Sequence, residues 1–458
     1  MNEQILTLPK LVKETTTPKA TIIKQPDVSM LNEKQLEIFE QITNMKLNVF
    51  SQTLLTGYSG TGKSFLVTKI IEEIIFKNKG IKIAITAPTN KAVRVLKNLS
   101  SICETHNQVE FNTLHSLLGL KRVITYEGKE EYKADFAGGM ITEFDIVLVD
   151  EVSMLDNELY QTLLTSAMMN KIMLLFIGDR GQIPPVNGGE SILFSSDLDG
   201  NFNLSDIIRQ ADGNPIIQLA KKIRTNQKFE KESILDEDNN GVVFLKINTE
   251  MPLLEKYFNS ENFTQNPNFV KVLAWTNKAV DYYNDKIRAM IYGDNCGRLN
   301  IGEKMVCNKP ITDSKKRVLL NNNDEFEVIS YELKTENRGL IYRYYSVKIL
   351  SNGKPYVIKL MSEISEKTYL KDLEGLKKKA TNASIMLKRN AWSKYYNLLD
   401  RYADVKYNYA LTVHKSQGST FDNVIVINCD IERVRDVKER NKLLYTAITR
   451  AKNKLFMI

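Results

Sequence analysis

The amino-acid sequence predicts an α/β protein with two parallel-sheet domains, and three observations point to that class. Short runs of continuous apolar, β-forming residues recur at Thr53–Leu55, Ile81–Thr86, Ile146–Val149, Met173–Ile177, Val270–Trp275, Val424–Ile427 and Leu455–Ile458. Stretches with helical spacing separate them, and the runs form two clusters along the chain. Strands that are apolar at every position are buried on both faces, as in parallel sheets covered by helices. The 458 residues leave room for about two to four domains. A hydrophobic fraction of 43% beside 26% charged residues fits a core-forming chain and excludes global disorder. Sixty-three basic against 55 acidic side chains leave a net charge of +8, which permits a polyanionic partner without requiring one.

In chain order, residues 1–28 are rich in Lys, Thr and Pro without periodicity and read as a flexible tail or strap. Leu31, Leu36, Ile38, Phe39 and Ile42 then fall at helical spacing. The first domain is expected over 29–120 and 136–200. It is interrupted at 121–135 (KRVITYEGKEEYKAD) by two short strands about a Glu127-Gly128-Lys129 turn. The second domain is expected over 201–298 and 407–458. Its insertion at 299–362 carries strand-like patches (EFEVISYEL, LIYRYYSVKIL, KPYVIKL) joined by Asn- and Gly-containing turns, read as a small antiparallel barrel. Residues 363–406 are helical in composition and rich in Lys and Tyr. No apolar run approaches the roughly 18 residues that span a bilayer, and the N-terminal segment lacks a secretory apolar core. Cys103, Cys296, Cys307 and Cys429 form no CxxC pair, and His106, His115 and His414 are scattered. Neither a zinc site nor a disulfide framework is suggested, and a reducing cytoplasm is expected.

Gly57-Tyr58-Ser59-Gly60-Thr61-Gly62-Lys63-Ser64 matches G-x-x-x-x-G-K-[ST] between a strand ending at Leu55 and a helical stretch (FLVTKIIEEII). Glycines let backbone N–H groups converge on phosphate oxygens, and the helix N-terminus adds positive potential. Gly57, Gly60, Thr61 and Gly62 would form this cradle, Lys63 would reach the β- and γ-phosphates, and Ser64 would ligate Mg²⁺. Ile146-Val147-Leu148-Val149 then ends in Asp150-Glu151. A carboxylate at that strand end can hold the Mg²⁺ shell, and Glu151 beside it can act as general base on the attacking water. Either pattern has a bland reading as a turn or a surface loop. Together they predict an ATP- and Mg²⁺-dependent nucleoside triphosphatase.

Further motifs narrow the class. They are Thr86-Ala87-Pro88-Thr89-Asn90-Lys91-Ala92, Thr113-Leu114-His115-Ser116, Gly178-Asp179-Arg180-Gly181-Gln182-Ile183-Pro184-Pro185-Val186 and Arg209-Gln210. Ala274-Trp275-Thr276-Asn277, Leu411 to Thr420 and Tyr445-Thr446-Ala447-Ile448-Thr449-Arg450-Ala451 follow. In this order, from Leu31 to the C-terminus, the sequence resembles superfamily 1 helicases, and within them the 1B branch of RecD-type and phage Dda-type enzymes. The carboxylate motif reads Asp150-Glu151-Val152-Ser153-Met154, unlike the Asp-Glu-x-Gln-Asp of the 1A branch, and Ile183 replaces a Leu of the usual 1B form.

The resemblance implies two RecA-like domains, an SH3-like barrel plus helices in the second, and a 5′→3′ DNA helicase or single-strand translocase active in replication, recombination or repair. It implies that Gln35 reads the adenine edge, that Gln182 senses the γ-phosphate, that Arg209 and Arg450 are arginine fingers, and that Gly418 lies across the cleft. Pro88, Thr89, Asn90, His115, Trp275, Thr276, Asn277, Thr412, His414 and Ser416 would line the single-strand path, and Tyr126 and Tyr132 would belong to a strand-separating pin. Partners would be single-stranded DNA and its junctions with duplex, with replication or single-strand-binding proteins in addition and no membrane. The lack of an added domain favours a monomer.

Bland readings compete at several positions. Gln35 could be a solvated helix residue, Arg209 a surface ion-pair residue, and His115 and His414 buried or capping groups. Trp275 could pack in the core, and 121–135 could be a plain hairpin. The basic–aromatic stretch 363–406, with Trp392, Tyr395 and Tyr396, suits either strand contact or packing on the barrel. Two other functions use the same residues. One is an ATPase translocase that strips proteins from DNA with little processive unwinding, and the other is an ATP-driven switch indifferent to nucleic acid.

Overall fold

The computed structural model describes residues 24–88, 92–93, 97, 108–134, 139–184, 189–205, 213–246, 249–313, 317–337 and 341–458. The first lobe begins with helix α1 (Glu33–Thr43), strand β1 (Ser51–Gly57) and helix α2 (Lys63–Lys77). Then come β2 (Ile83–Ala87), β3 (Val109–Thr113), the single turn α3 (Leu114–Leu117), and a hairpin of β4 (Leu120–Ile124) and β5 (Glu130–Ala134). β6 (Ile146–Val149), α4 (Asn157–Asn170), β7 (Met173–Gly178) and β8 (Gly200–Leu204) complete it. The strands form one parallel sheet in the order β3-β2-β6-β7-β1-β8. Its two faces carry separate cores. Ile38, Ile42, Leu66, Ile70 and Ile74 of α1 and α2 cover one, and Leu159, Leu163 and Ala167 of α4 the other. Double coverage is why the central strands are apolar at successive positions.

The second lobe contains α5 (Pro215–Arg224), β9 (Ile234–Leu235), β10 (Gly241–Phe244), α6 (Met251–Phe258), α7 (Glu261–Gln265), β11 (Val270–Ala274) and α8 (Asn277–Tyr292). The insertion follows: β12 (Lys304–Cys307), β13 (Ile311–Thr312), β14 (Val318–Leu320), β15 (Glu325–Asn337), β16 (Ile341–Ser351), β17 (Lys354–Met361), α9 (Glu363–Thr381) and α10 (Ile385–Leu399). The chain returns through β18 (Val405–Tyr407), β19 (Ala410–Thr412), α11 (Val413–Ser416), β20 (Phe421–Val426), α12 (Asn428–Ile431), α13 (Val437–Ile448) and β21 (Ala451–Met457). The lobe sheet runs β19-β11-β20-β21-β10-β9, parallel except for β9. α5 and α13 cover one face, α6 and α8 the other.

Two expected boundaries change. The first sheet continues to Leu204, because β8 pairs with β1 from Thr53↔Gly200 to Gly57↔Leu204, so the lobe ends beyond residue 200. The barrel expected at 299–362 is a five-stranded antiparallel sheet, β17-β16-β15-β12-β18, with β13 and β14 pairing apart; it takes its last strand from beyond 362. The tail expected at 1–28 falls mostly outside the described residues. Among the described residues no helix is long and apolar enough to cross a membrane.

Candidate active site

The carboxyl ends of β1, β6 and β7 meet at one edge of the first sheet, the usual place for a ligand in an open α/β sheet. Gly60 (φ +83°) and Gly62 (φ +77°), the latter capping α2, hold the left-handed backbone that a side chain resists, and so the loop turns inward. A Cβ on Gly57 would stand 2.6 Å from Thr61 Oγ1. Thr61 Oγ1 donates to the Tyr58 carbonyl at 2.8 Å. Lys63 Nζ donates to the carbonyls of Gly57 at 2.6 Å and Tyr58 at 2.9 Å, so its ammonium lies against the loop. Ser64 is exposed on the first turn of α2. Gln35 is buried, not solvated. Its Oε1 accepts from Asn32 N at 3.1 Å, and its Nε2 donates to the Thr61 carbonyl at 3.2 Å. It thus closes the capping box of α1 and braces the phosphate loop.

Asp150 follows β6 directly, and its Oδ1 accepts from Glu151 N at 2.8 Å. Glu151 holds φ +53°, a left-handed conformation costly for a side-chain-bearing residue and typical of functional turns. Burial, joined by the neighbouring Asp150 charge, pushes the Glu151 carboxyl up to about 7, while the Arg450 and Lys63 charges oppose. Burial likewise raises Asp150, against Lys63 and the Glu151 N–H. A carboxyl titrating near neutrality suits proton abstraction from water. Ser64 and Asp150 offer hard oxygen donors but only part of an octahedral Mg²⁺ shell; phosphate oxygens and water would have to supply the rest. The donor set fits an ion that arrives with the nucleotide.

The second lobe faces this edge. Tyr445 of α13 donates its hydroxyl to Asp179 Oδ2 at 2.6 Å and accepts from Ser59 N at 3.0 Å. Ile183 N donates to Thr446 Oγ1 at 3.2 Å, and Gln417 Nε2 donates to the Ile183 carbonyl at 2.9 Å. Arg224 of α5 stacks over the Tyr58 ring, its guanidinium carbon 3.4 Å from the centroid. Arg450 is buried, donating to the carbonyls of Thr446 at 3.1 Å and Ser419 at 3.2 Å and to Thr449 Oγ1 at 3.3 Å. Gln182 is buried, and its Oε1 has no partner among the described residues, which leaves an acceptor free within the cleft. Gly418 (φ +68°) lies where a Cβ would come within 2.9 Å of the Ala92 Cβ. Arg209 lies outside the described residues.

Of the expected strand-path residues, Thr89 and Asn90 also lie outside the described residues, and Pro88 is half-buried just past β2. His115 on α3 packs edge-on against Tyr132 with centroids 5.0 Å apart, and burial lowers its pKa. Thr276 caps α8 and donates from Oγ1 to Asp430 Oδ1 at 3.0 Å, and the Trp275 N–H donates to Asp430 Oδ2 at 2.9 Å. The Trp275 side chain packs against the lobe core, and Asn277 is exposed. Thr412 caps α11, and burial lowers the His414 pKa. Ser416 is a correction: it is fully buried and donates to the Val413 carbonyl at 2.8 Å, so it cannot touch a strand without unpacking the turn. On the hairpin, Tyr126 is 64% exposed beside the turn, whereas Tyr132 is partly covered by His115.

Sequence reasoning assigned no role to Asp179, Tyr445, Gln417, Asp430 or Arg224. The first three sit inside motif runs whose roles were given to neighbouring residues. Asp430 and Arg224 carry no local signal, because only tertiary contact brings them to the strand end and the loop.

The fold and this edge define a nucleoside triphosphatase with a phosphate-binding loop and two RecA-like parallel-sheet lobes. A model of the AAA domain matches residues 30–243, and one of the UvrD-like helicase C-terminal domain matches residues 407–458. The chain is 26% identical to the ATP-dependent DNA helicase dda of Enterobacteria phage T4, covering 92% of this chain and 100% of that one. It is 27% identical to the RecBCD enzyme subunit RecD of Buchnera aphidicola, covering 95% and 75%. A solved structure of Pif1 helicases at forked double-stranded DNA superposes with a TM-score of 0.51 at 17% identity, covering 93% of this chain and 92% of that one, a likeness of fold. Over nearly its whole length the chain is thus similar to DNA helicases of the Dda and RecD kinds.

Proposed function

We propose that the protein is an ATP-dependent DNA helicase that moves 5′→3′ along one strand and opens the duplex ahead of it. The observation that carries this reading is the closure of the second lobe on the phosphate-loop edge: the Tyr445 hydroxyl bonds Asp179 Oδ2 at 2.6 Å and the Ser59 N–H at 3.0 Å, and Arg450 is tied to the next residue of the same helix, Thr446, at 3.1 Å. A hydrolytic site shared between lobes is complete only when the lobes are together, so nucleotide turnover opens and closes the cleft.

In this reading the loop N–H groups and Lys63 bind the triphosphate, and Glu151 takes a proton from the attacking water. Arg450 balances charge on the γ-phosphate, and the free Gln182 Oε1 accepts from the water or a phosphate-bound proton. Mg²⁺ held by Ser64 and Asp150 would neutralise charge between the β- and γ-phosphates. Pro88, His115, Thr276, Asn277, Thr412 and His414 lie at or just beyond strand ends, where a single strand crossing both lobes would run. The exposed Tyr126 makes the hairpin tip the natural wedge at a junction. The five-stranded insertion takes the part of the SH3-like module. We further infer action as a monomer, in the cytoplasm, beside replication or single-strand-binding proteins.

Strand separation on duplexes with either a 5′ or a 3′ single-stranded tail tests the proposal. Opening of the 5′-tailed substrate alone, with ATP turnover stimulated by single-stranded DNA, is the expected result. Opening only the 3′-tailed one would overturn the polarity.

A further inference from the structure

The turn Asp179–Ile183 is gripped by consecutive residues of α13. The Tyr445 hydroxyl bonds Asp179 Oδ2 at 2.6 Å and the Ser59 N–H at 3.0 Å, and Thr446 Oγ1 bonds Ile183 N at 3.2 Å. The Tyr445 ring stands edge-on to Tyr58, and its other side meets Gly181, where a Cβ would lie 2.8 Å from Cε1. Arg450, just past the same helix, is tied back to it. Its Nε donates to the Thr446 carbonyl at 3.1 Å, and Thr449 Oγ1 donates to the Tyr445 carbonyl at 2.9 Å. The guanidinium is therefore anchored to the same helical turn that clamps the first lobe.

We propose that Tyr445 is a positioning residue for ATP hydrolysis, its hydroxyl fixing the register of α13 over the phosphate loop and so the place of Arg450 relative to Glu151. The inference rests on the finger role proposed for Arg450. A phenyl ring would fill the same space, so the hydroxyl contributes placement and not bulk. Gly181 serves the same end by letting the ring close on the turn.

The test compares the full-length chain with Tyr445→Phe, Gly181→Ala and Arg450→Ala. ATP turnover is measured at saturating single-stranded DNA, and affinity for a fluorescent non-hydrolysable ATP analogue is measured separately. Tyr445→Phe should lower kcat on the order of 10-fold or more, as a small displacement of a charged group does. Analogue affinity should move less than about threefold and the melting temperature less than about 4 °C. Gly181→Ala, which keeps the hydroxyl but displaces the ring, should show the same split. Wild-type kcat in Tyr445→Phe beside a slow Arg450→Ala overturns the inference and leaves the finger reading intact. Wild-type kcat in Arg450→Ala removes the finger reading itself. Lost analogue affinity with unchanged kcat in Tyr445→Phe also overturns the inference, because it makes the hydroxyl a binding contact.

Discussion

The Tyr396 hydroxyl donates to the Gly128 carbonyl at 2.7 Å, joining the turn of the first-lobe hairpin to helix α10 of the second-lobe insertion. Around this bond, Arg122 pairs with Asp400 at 2.9 Å and with Glu130 at 2.6 Å, and it stacks over Tyr396 at 5.1 Å. Gly128 holds φ +81°, and a Cβ there would stand only 2.2 Å from Cε2 of the buried Trp392 ring. The hairpin is thus braced from behind by the basic–aromatic helical stretch, whose Trp392 and Tyr396 pack on the hairpin turn, a contact that neither expected reading of residues 363–406 included.

Bracing predicts a selective defect. Gly128→Val adds a branched side chain to a left-handed turn and forces the hairpin off Trp392. Strand separation on a tailed duplex should slow on the order of 10-fold, while ATP turnover on single-stranded DNA stays near wild type. Equal loss of both activities in parallel assays would count against a mechanical role for the hairpin.

Lys63→Ala should lower ATP turnover on the order of 10²–10³-fold by removing a preorganised donor to the developing charge. Arg450→Ala should slow hydrolysis on the order of 10³-fold with analogue binding largely kept. Filter binding of a labelled single strand should be little changed in the Lys63 variant, since that side chain faces the loop carbonyls.

The Glu151 carboxyl, raised to about 7, must be ionised to accept a proton. Hence kcat/KM for ATP should fall as pH drops through about 7, approaching 10-fold per unit below it. Stability runs the other way. A folded carboxyl titrating above its ordinary 4.5 binds more protons than the unfolded chain, so it destabilises the fold as pH rises from 4.5 through 7. Glu151→Gln should therefore melt above wild type at pH 8 and converge with it near pH 4.5, as followed by calorimetry.

Glu303 is fully buried at the root of the insertion. It pairs with Arg288 of α8 at 2.6 Å and accepts from the Tyr409 hydroxyl at 3.2 Å. Removing one partner strands the other charge, so Glu303→Ala should destabilise the second lobe by about 3–5 kcal/mol. Chemical denaturation should show this as a lowered midpoint, with a smaller effect from exposed pairs such as Lys34–Glu37.

How much was legible follows from how local each signal is. The phosphate loop and Asp150-Glu151 are strand-turn motifs whose neighbours in sequence are their neighbours in space. The central strands are legible because burial on both faces makes them apolar throughout. β8 (Gly-Asn-Phe-Asn-Leu) and β3 (Val-Glu-Phe-Asn-Thr) escaped because each edges the sheet and keeps polar residues, and β19 because it has three residues. Gln35 carries two signals at once: beside the adenine contact that the resemblance implies, Asn32-x-x-Gln35 satisfies the capping-box pattern, and the structure shows that second use of the amide. The Trp392 contact with Gly128 joins residues far apart in the chain, and no local pattern encodes it.

The two lobe sheets differ in how their strands are gathered from the chain. The first is complete by Leu204, so it can close while later residues are still being synthesised. In the second, β11 at Val270–Ala274 waits for β19 and β20, which arrive after Tyr409, and its apolar edges stay uncovered for the whole translation of the insertion. Nascent chains halted between residues 300 and 400 should therefore be the ones that chaperones hold and proteases cut.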